Sequence, residues 1–231
     1  MDSNYRQDQR AGSLTRQPTI VVAGYGSWAM TAINPAAKAV SALSEYCAEN
    51  SQLHCIETPV DSQALYRWIE NTLQQYSPDI WIGVGVAVGS PAIRLEHIGI
   101  NVRCFDVPDI QGKKLKPTAI FDGGPVAYQS SLNNRAIVEQ LRASGIPAVE
   151  SFHAGTHLCN QMLYTVRYFT ESKNLNLISG FIHVPQSTDN VAELASDGGL
   201  CSSMSIEMMS QAIRIAVDCA DQQYSEAAVH T

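Results

Sequence analysis

Residues 80–86 read Ile80-Trp81-Ile82-Gly83-Val84-Gly85-Val86. An uninterrupted apolar run of this kind predicts a strand buried on both faces, as found inside parallel sheets. Working back from it, Ala64–Tyr76 carries Leu65, Trp68, Ile69 and Leu73 at helical spacing. Leu53–Val60 alternates like a strand with one exposed side. Ala36–Glu49 puts Ala39, Val40, Leu43 and Tyr46/Cys47 on one helical face, behind Asn34 as N-cap and Pro35 in the first turn. Thr19-Ile20-Val21-Val22-Ala23 is a second buried strand. The βαβαβ order predicts an α/β protein whose mostly parallel sheet has helices on both faces.

Forward of residue 86 the rhythm breaks. Arg94–Val102 reads as a strand with Glu96 and His97 among apolar neighbours, so Glu96 either faces solvent or is held inside by a partner. Cys104–Gly124 has little pattern and is expected to be a functional loop or an interface arm. Ser130–Ser144 is helical, closed by Gly145 and Pro147. Pro147–Phe152 favours a strand, and Ala154-Gly155-Thr156-His157-Leu158-Cys159-Asn160 follows it into a helix carrying Met162, Leu163 and Val166. Gly155 permits a tight turn there because glycine tolerates positive φ. Cys159 is then expected in the first helical turn, where unpaired N–H groups and the helix dipole favour a thiolate. The plainer alternative makes Cys159 one more small buried residue. Ile178–Pro185 is the last clear strand, with His183 near its carboxyl end, the edge where the Cys159 turn is also expected to emerge. Gln186–Leu200 is expected to be a loop, and Ser205–Gln222 the final helix.

Residues 1–17 read as a disordered arm, 18–224 as one domain and 225–231 as a tail. A net charge of −7 with no basic run argues against nucleic acid as a partner. No apolar run is long enough to span a bilayer, which argues against a membrane protein. Six cysteines without a C-x-x-C give neither the usual zinc spacing nor a disulfide framework. With a polar segment 1–17 in place of a signal peptide, a reducing cytoplasm is the expected compartment. His153, His157 and Cys159 have an H-x₃-H-x-C spacing that suits a metal only on one continuous helix, which Gly155 argues against. Gly24-Tyr25-Gly26 lacks the third glycine of a nucleotide fingerprint, since Ala29 holds that place. Tyr25 and Trp28 instead put two aromatics at the carboxyl end of the first strand, where ligands bind in open α/β sheets.

Three segments together carry a family resemblance: Glu96-His97-Ile98-Gly99-Ile100-Asn101; Gly145-Ile146-Pro147-Ala148-Val149 through Ala154-Gly155-Thr156-His157-Leu158-Cys159-Asn160; and Gly180-Phe181-Ile182-His183-Val184-Pro185. In order and at these separations, the chain resembles pyroglutamyl-peptidase I, the pyrrolidone-carboxylate peptidases, from about Val21 to Pro185. Gly124-Pro125 with Ala127-Tyr128, and Asn34-Pro35, also match. The resemblance implies a three-layer α/β/α sandwich and a cytoplasmic, often tetrameric cysteine hydrolase that removes an N-terminal pyroglutamyl residue. It implies Cys159 as nucleophile, His183 as base and Glu96 orienting the histidine. No metal or organic cofactor is implied, and the expected partners are a small peptide or N-acylated substrate and further copies of the chain.

The departures fall on the pocket. The family's loop after its first strand reads Gly-Phe-x-Pro-Phe-Gly-Gly, and Tyr25 and Trp28 stand where its two phenylalanines line the lactam pocket. The family's Gly-Gln-Ala-Gly-Gly-Arg becomes Gly85-Val86-Ala87-Val88-Gly89-Ser90. A family arginine falls on Asp106, and the phenylalanine two before the nucleophile is His157. Tyr25, Trp28, Val86, His157 and Asp106 are therefore the candidate substrate-binding residues. They imply either acyl transfer on an altered amide substrate or a protein that only binds a small molecule in the old pocket.

Overall fold

The structure, a computed structural model, describes residues 16–27, 34–44, 46, 48, 51–194 and 200–229. Its elements in chain order begin β1 (Thr19–Tyr25), α1 (Pro35–Ser41), β2 (Gln52–Thr58), α2 (Ala64–Tyr76) and β3 (Ile80–Val86). Five short strands, one helix and a sixth short strand follow: β4 (Ile93–Glu96), β5 (Ile98–Ile100), β6 (Arg103–Phe105), β7 (Leu115–Thr118), β8 (Ala127–Gln129), α3 (Asn134–Ala143) and β9 (Ala148–Ser151). The chain closes with α4 (Leu158–Ser172), β10 (Ile178–Val184), β11 (Gln186–Ser187), α5 (Thr188–Leu194), β12 (Ser203–Met204) and α6 (Ile206–Val229).

Six strands form the central sheet in the order β2-β1-β3-β10-β4-β9. The period of two along each strand sorts its residues onto two faces. Ile20, Val22, Ile82, Val84, Ile182 and Val184 pack against α1, α3 and α6 through residues such as Ala39, Ile137 and Ile213. Val21, Ala23, Trp81 and Phe181 pack on the other side against Leu65 and Ile69 of α2 and Met162, Val166 and Phe169 of α4. The result is the expected three-layer α/β/α sandwich. β1, β2, β3 and β10 run parallel, while β4 pairs antiparallel with β10 and parallel with β9.

That reversal corrects the expected route to Cys159. β9 runs against β10, so its carboxyl end lies level with Glu96 and Phe181 and points away from the edge where β10 finishes. The connection 152–157 carries the chain back to that edge, turning at Gly155 with φ +79°.

Other boundaries moved as well. The helix expected over Ala36–Glu49 stops at Ser41, after which Leu43 and Ser44 donate to Val40 and Ser41, three residues back, as tight turns. Asn34 caps it as expected, accepting from the Ala36 amide. The single strand expected over Arg94–Val102 is two. His97 donates its amide to the Ser151 carbonyl and accepts at its own carbonyl from the Ser130 amide, and β5 leaves to pair with β8. The unpatterned arm contains the hairpin β6–β7, whose tip is fastened by Asp109, which accepts from Ser62, Gln111 and Lys113. The loop expected over Gln186–Leu200 contains β11 and α5. α6 continues past Gln222 to Val229, because the segment holds no glycine or proline stop and Gln223 and Tyr224 find partners at the Ser131 carbonyl and Asp79. The arm expected over 1–17 falls outside the described residues except for Arg16 and Gln17, where Arg16 pairs with Asp79 at 2.9 Å.

Candidate active site

The site begins with side chains that share one face of the sheet. Residues two apart on a strand point the same way. Arg94 pairs with His183 and Glu96 with Phe181 across β4 and β10, so all four face α4. Glu96 then reaches His183 diagonally, two residues along, within normal cross-strand range. The His183 Nδ1–H donates to Glu96 Oε1 at 2.8 Å. Glu96 is fully buried and His183 is 7% exposed. Of the alternatives for Glu96, it is the inside position with a partner that the fold adopts.

On β3 the same face carries Gly83 and Gly85, opposite Phe181 and His183. Their missing side chains allow α4 to come close. A Cβ on Gly85 would meet the Cys159 sulfur at 2.7 Å, and one on Gly83 would meet Phe181 at 2.5 Å and the Met162 sulfur at 2.6 Å. Cys159 is the second residue of α4, in its first turn, and His157 is the N-cap without a side-chain capping bond. The amides of the first turn are thus left without that partner. Asn160 ties this turn to the chain around β5, donating to the Ile100 and Val102 carbonyls and accepting from the Ile100 amide. The Tyr25 hydroxyl donates to the Leu158 carbonyl at 2.6 Å, which secures the helix start from the other side.

The charges are mutually dependent. Burial disfavours a charged His183, but the Cys159 and Glu96 side chains, through charge and hydrogen bonds, outweigh it and hold its pKa up to about 9. Burial likewise disfavours the Glu96 carboxylate, yet His183, Ser151 and Arg94 keep its pKa below the ordinary value. Burial pushes the His157 pKa down, only partly opposed by its bond to the Val107 carbonyl and by Asp109, so this imidazole is neutral at pH 7. Burial, then the Cys159 charge, push the Tyr25 pKa well up, so its hydroxyl keeps its proton.

A pH dependence follows. His183 has a folded pKa above its ordinary 6.5, so the stability it contributes is complete below 6.5 and lost as pH rises through about 9. Glu96 has a folded pKa below its ordinary 4.5, so its contribution is present above 4.5 and lost as pH falls. The stability difference between the wild type and Glu96→Gln is therefore expected to peak between these limits, at a few °C in Tm. It shrinks above about pH 9. Thermal unfolding of both proteins across this range checks it, and a difference that grows above pH 9 refutes it.

Cys159 and His183 open onto a cavity of about 300 Å³, lined also by Tyr25, Val60, Val86, Val107 and His157. Tyr25, Val86 and His157 are thus brought together with the cysteine and histidine. Asp106 is exposed and does not line this cavity, whereas its neighbour Val107 does. One residue along the β6–β7 loop is enough to turn the charge outward. Trp28 lies outside the described residues. Among the described residues no group of three or more His, Cys, Asp or Glu side chains is placed to hold a metal ion. The His153 and His157 rings are engaged with the Gly155 amide and the Val107 carbonyl.

Sequence reasoning missed Arg94, whose Nε donates to Glu96 Oε1 at 3.1 Å while Nη2 donates to Ser151 at 2.6 Å. Its spacing of two from Glu96 on a strand was the available signal. Val60, Val88, Val107 and Ala154 also line the cavity, and nothing local marks loop residues of this kind.

A three-layer α/β fold with a cysteine at a helix start, a buried histidine beside it and a glutamate behind the histidine has the make-up of a cysteine peptidase. The comparisons with known proteins agree and are more specific. A family model described as Pyroglutamyl peptidase matches residues 18–223, and the chain belongs to that family. It is 33% identical to a pyrrolidone-carboxylate peptidase of Pyrococcus furiosus over 87% of this chain and 97% of the relative. A pyrrolidone-carboxylate peptidase of Vibrio parahaemolyticus is 32% identical over 91% and 96%. The crystal structure of a mutant pyrrolidone carboxyl peptidase from P. furiosus superposes with a TM-score of 0.85 at 32% identity, covering 87% of this chain and 97% of that one. The protein is therefore a peptidase. Among the described residues no helix is long and apolar enough to cross a membrane.

Proposed function

We propose that this peptidase removes an N-terminal pyroglutamyl residue, or a closely related lactam or acyl residue, by acyl transfer through Cys159, His183 and Glu96. The observation that carries the reading is the buried His183–Glu96 hydrogen bond beside a cysteine held against Gly85 at the mouth of an apolar cavity. Glu96 fixes the imidazole so that Nδ1 is committed to the carboxylate and Nε2 is left for the sulfur and the substrate. The Cys159 thiolate attacks the acyl carbonyl. The oxyanion is held by amides of the first turn of α4, typically worth about 100- to 1000-fold per donor. His183 gives its Nε2 proton to the departing amine as the C–N bond breaks and a thioester remains. Neutral His183 then takes a proton from water, which attacks the thioester, and the acid leaves as the thiolate and imidazolium are restored. These steps use groups of the chain and water only.

The cavity suits a small neutral acyl group. Its walls include Val60, Val86 and Val107, His157 is uncharged, and the Tyr25 hydroxyl hydrogen is already given to Leu158. Asp106 lies outside it, so its charge does not face the acyl group. A different neutral amide remains the second reading, favoured by Tyr25 and His157 lining the cavity where the family resemblance implies phenylalanines. The expected result is hydrolysis of pyroglutamyl-aminomethylcoumarin with kcat/KM of about 10⁴ M⁻¹s⁻¹, the lower end for an efficient enzyme. Acetyl- and prolyl-aminomethylcoumarins are expected to be at least about 100-fold slower. A faster acyl analogue would replace pyroglutamate as the substrate, and no hydrolysis of any would leave a binding protein. By the same resemblance we place the enzyme in the cytoplasm as a homo-oligomer.

A further inference from the structure

A second cavity, of about 450 Å³, lies between α2, α4 and the irregular arm. Its lining carries two chemically unlike sets of side chains. Gln161 and Thr165 form one, four residues apart on α4 and so stacked on the same side of the helix. Arg67 and Arg103 supply the other, and among the described residues neither makes an ion pair. Tyr66 and Phe121, with ring centroids 5.4 Å apart, add an aromatic wall.

The polar groups here are left incomplete. Gln161 is 2% exposed, and its amide nitrogen donates to the Ser62 carbonyl at 2.8 Å while Oε1 has no partner within the chain. Thr165 is 1% exposed and its hydroxyl has none either. Buried threonines on helices normally return the hydroxyl to the carbonyl four residues back. Thr72 and Thr170 do so here, at 2.7 and 2.8 Å, and Thr165 does not. Arg103 Nε is also buried without a partner. Buried groups left this way disfavour the fold unless something completes them.

We propose that this cavity binds a small carboxylate that also carries N–H groups, the class that includes free amino acids, N-acylated amino acids and lactam acids. The guanidinium groups of Arg67 and Arg103 match a carboxylate. Gln161 Oε1 accepts from an N–H, and Thr165 either accepts from the ligand or donates to its carbonyl. The aromatic wall covers the ligand's apolar part. The cavity volume lies in the range of ordinary small-molecule sites. The site is separate from the catalytic cavity but adjoins it along the chain. Ser62 follows Val60, and Gln161 follows Cys159, each by two residues.

The test is calorimetric titration of the full chain with N-acetylglycine and with L-pyroglutamate, against acetate and acetamide. Phenylglyoxal labelling of the arginines, read by mass spectrometry, locates the ligand. N-acetylglycine is expected to bind about tenfold more tightly than acetate or acetamide, the worth of one further hydrogen bond in each comparison, and to protect Arg103 from labelling. Thr165→Val, which preserves shape, and Arg103→Gln are each expected to lose about tenfold in affinity, with the Tm of the ligand-free protein not lowered, since each removes a buried group that has no partner within the chain, and with the KM for the aminomethylcoumarin substrate unchanged. Affinity unchanged in both variants, labelling of Arg103 unaffected by ligand, or no binding of N-acetylglycine beyond that of acetate would each overturn the proposal. Because affinity and labelling, not hydrolysis, decide the outcome, the test stands whichever acyl group the catalytic site accepts.

Discussion

Cys159→Ala is expected to abolish hydrolysis, by a factor on the order of 10⁴–10⁶ in kcat, the loss seen when a nucleophile is deleted, while the protein still folds. Cys159 combines what a nucleophilic thiol requires: the first turn of α4, an adjacent His183 that keeps its proton to about pH 9, and access to the cavity. Cys55 and Cys219 lack this setting. Burial pushes the Cys55 thiol up to about 11, and burial with Asp218 raises that of Cys219. Iodoacetamide at neutral pH is therefore expected to label Cys159 before either, and labelling should run in parallel with loss of activity. Full activity in Cys159→Ala, or preferential labelling of Cys55 or Cys219, would remove Cys159 from the mechanism.

Gly85→Ala carries the next largest expected effect, a fall in kcat of about 100-fold or more, since displacing a reacting atom by about 1 Å costs that much. The added Cβ would lie 2.7 Å from the Cys159 sulfur and 2.9 Å from Phe181 Cζ. Phe181 is fully buried, so the sulfur is the neighbour more able to move. Overpacking of this kind also costs stability, about 1–3 kcal/mol, which an activity assay alone would confuse with misplacement. Gly180→Ala separates the two. Its Cβ would meet Ser130 Oγ at 2.4 Å and Leu132 at 2.5 Å on the opposite face of the sheet. Gly180→Ala should lower Tm while largely keeping kcat in the protein that remains folded, and Gly85→Ala should lower both. Equal kcat in the two variants would show that the approach of α4 to β3 does not set the position of the sulfur.

Local spacing alone determined the repeating units of the fold. β1, β3 and β10 announced themselves as apolar runs because both faces are covered by helices, and α2 did so through a 3.6-residue period that its exposed side leaves intact. Cys159 in the first turn of a helix was legible from Gly155 and the apolar spacing after it. The resemblance, spread over three short segments, supplied the grouping of Cys159, His183 and Glu96 from a single sequence. What spacing could not carry was direction and partnership. The strand formed by Ala148–Ser151 has the same side-chain period whichever way it runs, so its reversal against β10 waited for the structure. α1 stopped early and α6 ran on because ends are decided by which turn carbonyls and side chains find partners, and those partners, such as Ser131 and Asp79 for α6, are distant in sequence. Arg94 was visible as a residue but not as a partner of Glu96, and Asp106 was visible as a charge but not as one pointing away from the cavity. The second cavity had no trace in the sequence at all. Arg67, Arg103, Gln161 and Thr165 come from three separate segments, and only the packing of α2 and the arm against α4 brings them around one space.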